Sequence, residues 1–504
     1  MRQESDALGA RQLPEGALYG IHTLRAVENF PVSETRLFPE FIRAYAMVKA
    51  ACALANLDAG HLDAGRAEAI LAACREIADG RHADQFPVDP YQGGAGTSTN
   101  MNVNEVVANR ALQLLGREPG DYDFLSPLAH VNLHQSTNDT YPTALRVAAL
   151  WLLKDLEAAT ARLQEAFQEK EAAFAHVVKV GRTELMDAVP LTLGMEFGAF
   201  AEAVSRDRWR IFKCRERIKQ VPLGGTAVGT GLGAPREFIF RAVEHLRTLT
   251  GLPVSRAENL VDATANADPF VEVSGILSAY GANLLKISSD LRLLASGPAT
   301  SIGEIRLPAL QAGSSIMPGK VNPVIPECVG QVALRVAANH QALTLAAGLG
   351  QLQINQFLPL VTQSLLESLR LLRQASRIFA DKCVAGITAD EARCAELVTE
   401  SHALATVLVP ALGYEAVSKL MAAAEAAGIP LAEHLDARGI LSREAAAALL
   451  APKRMRKLGF EAQDYAAVGG LRRPGEAPGE ALPPLDPTAE GPRAPRTPHK
   501  GEDV

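Results

Sequence analysis

The sequence predicts a protein built on a bundle of long helices, and three observations predict it. From Thr143 to Val180 there is no Gly or Pro. Over that stretch apolar residues recur at Leu145, Ala149, Leu152, Leu156, Ala159, Leu163 and Phe167, in helical steps of three and four. Similar stretches follow at Arg236–Leu249, Phe270–Leu294 and Glu327–Ala385, separated by short Gly/Pro-rich connectors at Gly181–Pro190, Leu223–Pro235 and Leu307–Pro323. A continuous 143–180 helix of 38 residues would span ~57 Å at about 1.5 Å per residue. Helices of that length need long partners, which is what a bundle supplies.

The flanking regions read differently. The first ~135 residues are mixed, with helical spacing over Ala44–Leu57 and Arg66–Ala78 and an irregular stretch at Asp121–Leu128. Residues from about Thr388 to Phe460 read as a smaller helical unit. The expected division is a mixed, helical N-terminal domain over 1–135, a central long-helix bundle over 136–389, a small C-terminal helical domain over 390–465 and a tail over 466–504. Between Leu471 and Val504 there are eight prolines and no Phe, Tyr or Trp. Such a segment buries too little apolar area to offset its ordering entropy, so the tail is expected to be disordered. Its arginines, Arg472, Arg473, Arg493 and Arg496, read as solvating charges.

Composition excludes several classes of function. Net charge is −7, with 48% hydrophobic and 21% charged residues. That balance offers no basic stripe for nucleic acid. No apolar run reaches the ~18 residues of a membrane span. The N-terminus lacks an apolar stretch followed by a small-residue cleavage site. Six cysteines without C-x-x-C spacing make neither a zinc site nor a disulfide scaffold in a chain of 504 residues. A cytoplasmic setting is the expectation. The glycines at 229, 231 and 233 form no nucleotide loop. His130 and His134, spaced i, i+4 without an accompanying Glu, read as surface or packing residues, so no metal site is expected.

Chemistry is expected in the connectors, where loops join rigid helices. The sharpest is Gly313-Ser314-Ser315-Ile316-Met317-Pro318-Gly319-Lys320-Val321-Asn322-Pro323. Three others are Gly93–Asn102, Gln135–Asp139 and Gly181–Glu184. Each offers small hydroxyl or amide side chains and backbone N–H groups, which are neutral donors suited to carboxylate oxygens. Asn138 and Asp139 stand just before the long helix and are also expected to cap it.

The run Ser314-Ser315-Ile316-Met317-Pro318-Gly319-Lys320-Val321-Asn322 resembles the signature of the aspartase/fumarase superfamily, and the resemblance covers about Asp6 to Phe460. Finer features look like aspartases: Gly94-Ala95-Gly96-Thr97-Ser98, Ser136-Thr137-Asn138, Leu310-Gln311-Ala312, Val324–Glu327 and Gly350–Asn355. Gly319 is a partial exception, because Ala is common there in aspartases.

The resemblance implies an all-α fold in three regions, whose central helices form a twenty-helix core in a homotetramer. Each active site would then draw on three subunits. It implies reversible elimination of ammonia from L-aspartate to give fumarate. The alternatives are hydration of fumarate to malate, action on a substituted aspartate, and a non-catalytic homologue. Ser314 would be the base. Thr97, Ser136, Thr137 and Ser315 would hold the β-carboxylate, and Thr183, Lys320 and Asn322 the α-carboxylate. Asn138 would orient the amino group. No cofactor is implied, a divalent cation entering only as an activator. At Glu184 the family usually has His or Gln, and Glu327 stands at the position that pairs with that His. Glu184 is expected either to attract the substrate ammonium as a carboxylate or to donate as a protonated acid.

Overall fold

The structure, a computed structural model, describes residues 1–466; the expected disordered tail and its four arginines lie outside the described residues, save for Ala466. Helices dominate the described residues, accompanied by four two-stranded sheets. The all-α expectation therefore holds. The chain forms two compact units, each assembled from three stretches. One contains 1–162, 204–288 and 327–379; the other contains 163–203, 289–326 and the described residues from 380 to 466.

The long helix is Thr137–Ala173, 37 residues with Pro142 inside it. It starts six residues earlier than the sequence suggests. The reason is a cap: Ser136 Oγ accepts from the Asn138 N–H at 3.1 Å, and Asp139 Oδ1 accepts from the Ser136 N–H at 3.0 Å. This reciprocal pair ties up donors that a helix start leaves free. Ser136 is thus the capping residue, with Asp139 closing the pair; Asn138 lies inside the first turn. The seven residues of the apolar stripe are all buried, and so are Ala144, Val147, Ala148, Leu150 and Leu153. The first half of the helix, to Leu153, is thus enclosed on all sides as at the centre of a bundle, whereas beyond it Lys154, Asp155, Ala158 and Glu165 face outward.

At its other end the helix stops seven residues short of the expected boundary. Val178–Thr183 is a strand, paired antiparallel with Met186–Thr192. The segment read as a Gly/Pro connector, Gly181–Pro190, is therefore the end of the first strand, the turn and most of the second strand of a hairpin. The alternation in Val178-Lys179-Val180 suits a pleated surface once a partner strand is present. The Glu327–Ala385 stretch is likewise two helices, Val324–Gly348 and Leu358–Lys382, interrupted around Gly350.

In the first unit, Pro39–Asp58 packs on Ala64–Ala78 and on Arg236–Thr250, and Thr97–Leu114 packs on Ala64–Ala78. In the second unit the hairpin packs against Glu391–Glu400 and Ala403–Leu412. The small helices beyond share a core that includes Leu408, Leu420, Leu435, Leu449 and Tyr465.

Candidate active site

In the first unit the structure brings Thr97 together with Ser136, Thr137 and Asn138. Gly93–Asn102 is only partly a connector, since Thr97 is the first residue of the helix Thr97–Leu114. The turn before it has three successive left-handed residues, Gly94, Ala95 and Gly96, with φ of 84°, 54° and 95°. Gly96 is required twice over: a Cβ there would also meet the Tyr141 ring at 2.2 Å. This close approach sets the turn against the first turns of the long helix. Thr140 Oγ1 stands 3.4 Å from Asn100 Oδ1, and Tyr45 Oη contacts both residues. Two helix N-termini therefore lie side by side, and their dipoles favour an anion. Thr97 is exposed and donates its hydroxyl to the Gly94 carbonyl at 2.8 Å.

Beneath these residues lies a buried polar network that the sequence did not reveal. Lys49 is fully buried, and its Nζ donates to Asn100 Oδ1 at 2.7 Å, Asn132 Oδ1 at 3.1 Å and Gln135 Oε1 at 2.9 Å. Burial pulls its pKa down to about 8. Asp139 is also fully buried, and burial pushes its carboxyl up to about 7 despite three N–H donors. Besides the cap, its Oδ2 accepts from Gly224 and Thr226 N–H at 3.2 and 3.0 Å. Asn138 Nδ2 donates to the Ala227 carbonyl at 2.7 Å, which leaves its Oδ1 as the group able to accept from an ammonium. The available sequence signal was Thr99, Asn100, Asn102, Asn104 and Asn109, polar residues filling buried positions of one helix.

In the second unit Thr183 and Glu184 sit at the hairpin tip, both exposed. Glu184 and Leu185 form a two-residue turn with φ of 55° and 66°. Left-handed backbone at two side-chain-bearing residues is strained, and such strain gathers at functional sites.

The 313–323 loop is closed on itself. Gly313 N–H donates to the Lys320 carbonyl at 2.8 Å, and Asn322 Nδ2 donates to the Gly313 carbonyl at 2.8 Å. A Cβ on Gly313 would fall 2.6 Å from the Lys320 carbonyl oxygen, so glycine lets the two ends meet. Ser314 Oγ accepts from the Ile316 N–H at 3.2 Å and the Met317 N–H at 3.0 Å. These are donors of the kind that stabilise an anionic oxygen. Ser315, Ile316, Met317 and Lys320 are exposed.

His130 Nδ1 accepts from the Ser126 N–H, and His134 bonds Asn56 while its ring packs on His61 and Phe238. Among the described residues no group of three or more His, Cys, Asp or Glu side chains could hold a metal ion. No described helix is long and apolar enough to cross a membrane.

Comparison with known proteins matches this arrangement over nearly the whole described chain. Residues 9–338 match the family described as Lyase, and residues 404–457 the family described as Fumarase C C-terminus. The aspartate ammonia-lyase of Bacillus subtilis (strain 168) is 44% identical over 463 residues, 92% of this chain and 98% of its own length. That of Escherichia coli (strain K12) is 46% identical over 417 residues, 82% of this chain and 87% of its own. Among solved structures, a fumarate lyase:delta crystallin from Brucella melitensis bound to cobalt superposes with a TM-score of 0.87 at 48% identity. It covers 90% of this chain and 99% of its own. Recombinant class II fumarase from Schistosoma mansoni superposes with a TM-score of 0.84 at 34% identity, covering 90% and 98%. With likeness of this extent in both sequence and fold, the chain belongs to the lyase family that contains the aspartases and class II fumarases.

Proposed function

We propose that this chain catalyses the reversible elimination of ammonia from L-aspartate to give fumarate, with Ser314 as the base. The single observation that carries the chemistry is the pair of N–H groups directed at Ser314 Oγ. The substrate follows from the relatives, which at 44–47% identity are aspartate ammonia-lyases.

The hard step is removal of a proton from the carbon next to the β-carboxylate. That carbon is a very weak acid, and the charge it leaves must spread into the carboxylate as a dianion. A serine hydroxyl is too weak an acid to be anionic unaided at neutral pH. The N–H groups of Ile316 and Met317 and the charge of Lys320 on the same loop lower the cost of the alkoxide. Thr97, Ser136, Thr137 and Ser315 receive the β-carboxylate, where the paired helix N-termini favour growing negative charge. Thr183, Lys320 and Asn322 receive the α-carboxylate. Asn138 Oδ1 accepts from the ammonium. No step requires a metal or an organic cofactor.

The site would be completed between subunits of a homotetramer, three of them contributing to each centre, in the three-region arrangement described above. Supporting this, the helix Val324–Gly348 buries a stripe through Val329, Ala333, Val336, Asn339, Leu343 and Ala346, yet leaves Leu334 at 60% and Leu345 at 67% exposure on its other side. An apolar second face on a long helix calls for a second chain.

The fumarase likeness keeps one other reading in view, hydration of fumarate. Fumarate formation followed by ultraviolet absorbance from aspartate and, separately, from malate tests both. Release from aspartate with little from malate is expected; the reverse would replace this reading with a hydratase.

A further inference from the structure

Buried charge in the second unit converges on Glu304, a residue given no role above. Its side chain is completely buried. Oε1 accepts from Arg182 Nη1 at 2.8 Å, and Lys179 Nζ stands 2.8 Å from Oε2. Lys179 is buried too, and also donates to Glu196 Oε2 at 2.8 Å. A carboxylate without solvent persists only when paired, and two cations from one strand pair it.

Lys179 and Arg182 are three residues apart, so on a regular strand they would face opposite sides. The hairpin register shifts between Val180 and Arg182. At the intervening Gly181 a Cβ would fall 2.5 Å from the Val189 carbonyl oxygen. Irregularities of this kind re-aim side chains, and here both cations reach one carboxylate. Arg182 immediately precedes Thr183.

The backbone around Glu304 is equally fixed. Its N–H donates to the Leu294 carbonyl and its carbonyl accepts from the Asp390 N–H, both at 2.9 Å. Ile305 and Arg306 pair with Ala389 and Thr388. Pro308 packs so closely on Gly386 that a Cβ there would meet it at 2.5 Å. The chain is thus clamped from Glu304 to Pro308, just before it enters the Ser314 loop.

We infer that Glu304 is a positioning residue that locks the Thr183-bearing hairpin to the stem of the Ser314-bearing loop, acting through Arg182 and Lys179. The catalytic consequence rests on the roles proposed above for Thr183 and Ser314. Displacing a reacting group by about 1 Å costs roughly 100-fold in rate. Loss of the clamp should therefore lower kcat by about that factor through Ser314 and raise KM through Thr183, which holds the α-carboxylate.

Hydrogen exchange on the full chain without substrate tests the clamp independently of activity. Glu304→Gln keeps the shape and removes the charge; Arg182→Gln removes one partner; Glu196→Gln serves as the control. Faster exchange is expected in both 183–190 and 313–322 for Glu304→Gln and Arg182→Gln. The double variant should be no looser than the looser single, and the control should leave 313–322 unchanged. If Glu304→Gln does not fold, Arg182→Gln carries the comparison. Loosening confined to the hairpin, spread evenly over the chain, or absent would overturn the inference. A wild-type chain that forms no fumarate from aspartate would instead sink the proposed reaction, and the exchange comparison would still decide the clamp.

Discussion

Removing the Ser314 hydroxyl should be felt in the chemistry and nowhere else. The residue lies in a loop closed by Gly313, Lys320 and Asn322 rather than by its own packing. Ser314→Ala is expected to lower kcat by about 10²–10⁴-fold with an unchanged melting temperature; activity within a few-fold of wild type would dismiss Ser314 as base. Two glycines in the other half of the site make a sharper comparison. Gly94 and Gly96 both have positive φ, but a Cβ on Gly94 meets nothing closer than 3.7 Å, whereas one on Gly96 collides with Tyr141. Gly94→Ala should cost about 1 kcal/mol from the backbone alone, and Gly96→Ala clearly more, read from urea unfolding. Equal costs would mean that the Tyr141 contact does not hold the turn. Glu184 occupies a strained, exposed turn residue whose identity the hairpin does not dictate. If its side chain attracts the substrate ammonium, Glu184→Gln lowers the preference for aspartate over malate. An unchanged ratio of kcat/KM values would dismiss that role.

Elements in the first unit are joined by buried polar contacts, and these carry predictions of their own. Lys49 reaches from Pro39–Asp58 to Asn100 on Thr97–Leu114 and to Gln135 just before the long helix. Replacing it with an apolar chain takes the donor from Gln135 Oε1 and one donor each from Asn100 Oδ1 and Asn132 Oδ1, which keep bonds from Tyr45 and Asn104. Lys49→Met should therefore destabilise by about 1–3 kcal/mol and raise KM, because Thr97 and Ser136 lose their common support. A fully stable variant with unchanged KM would show that the network is incidental. Glu76 clamps Ala64–Ala78 to Thr97–Leu114 through Arg110, at 2.6 and 3.0 Å. The Arg110 guanidinium, aided by His82, holds its carboxyl down at about 2 against an ordinary 4.5. A lowered carboxyl contributes stability above its unfolded pKa and loses it as pH falls through the folded one. The gap in melting temperature between wild type and Glu76→Gln should thus be full above pH 4.5 and close as pH falls toward about 2. A gap that persists unchanged in acid would exclude the ion pair as its source.

For the molecule as a whole, the test is assembly. Leu334 and Leu345 are exposed on a helix whose other side is already packed. If this face meets other copies of the chain, Leu334→Glu with Leu345→Glu should lower the oligomer mass by sedimentation and abolish turnover while helicity survives. Full activity in a dissociated chain would refute a site shared between subunits.

Read alone, the sequence determined the helical character, the long central helix and the loop that carries Ser314. Those features are local: helical spacing without Gly or Pro is a property of one stretch, and the loop pattern Ser314–Asn322 is contiguous. Of the two helix ends that differed, the start is set by a local cap and only the end by pairing outside the helix. Thr137–Ala173 begins where Ser136 and Asp139 exchange hydrogen bonds, and ends because Val178–Thr183 finds Met186–Thr192 as a partner. The helical nature of Thr97–Leu114 was hidden because Asn, Thr and Glu share its buried positions with apolar residues and break up the apolar stripe. Lys49 and Glu304 were invisible for the same reason at longer range. Nothing near either residue in the chain marks it as special. Lys49 matters through Asn132 and Gln135, more than eighty positions away, and Glu304 through Lys179 and Arg182, more than a hundred away. A charge buried among partners so distant acquires its meaning only when the chain folds, because only then does water leave and make the pairing obligatory.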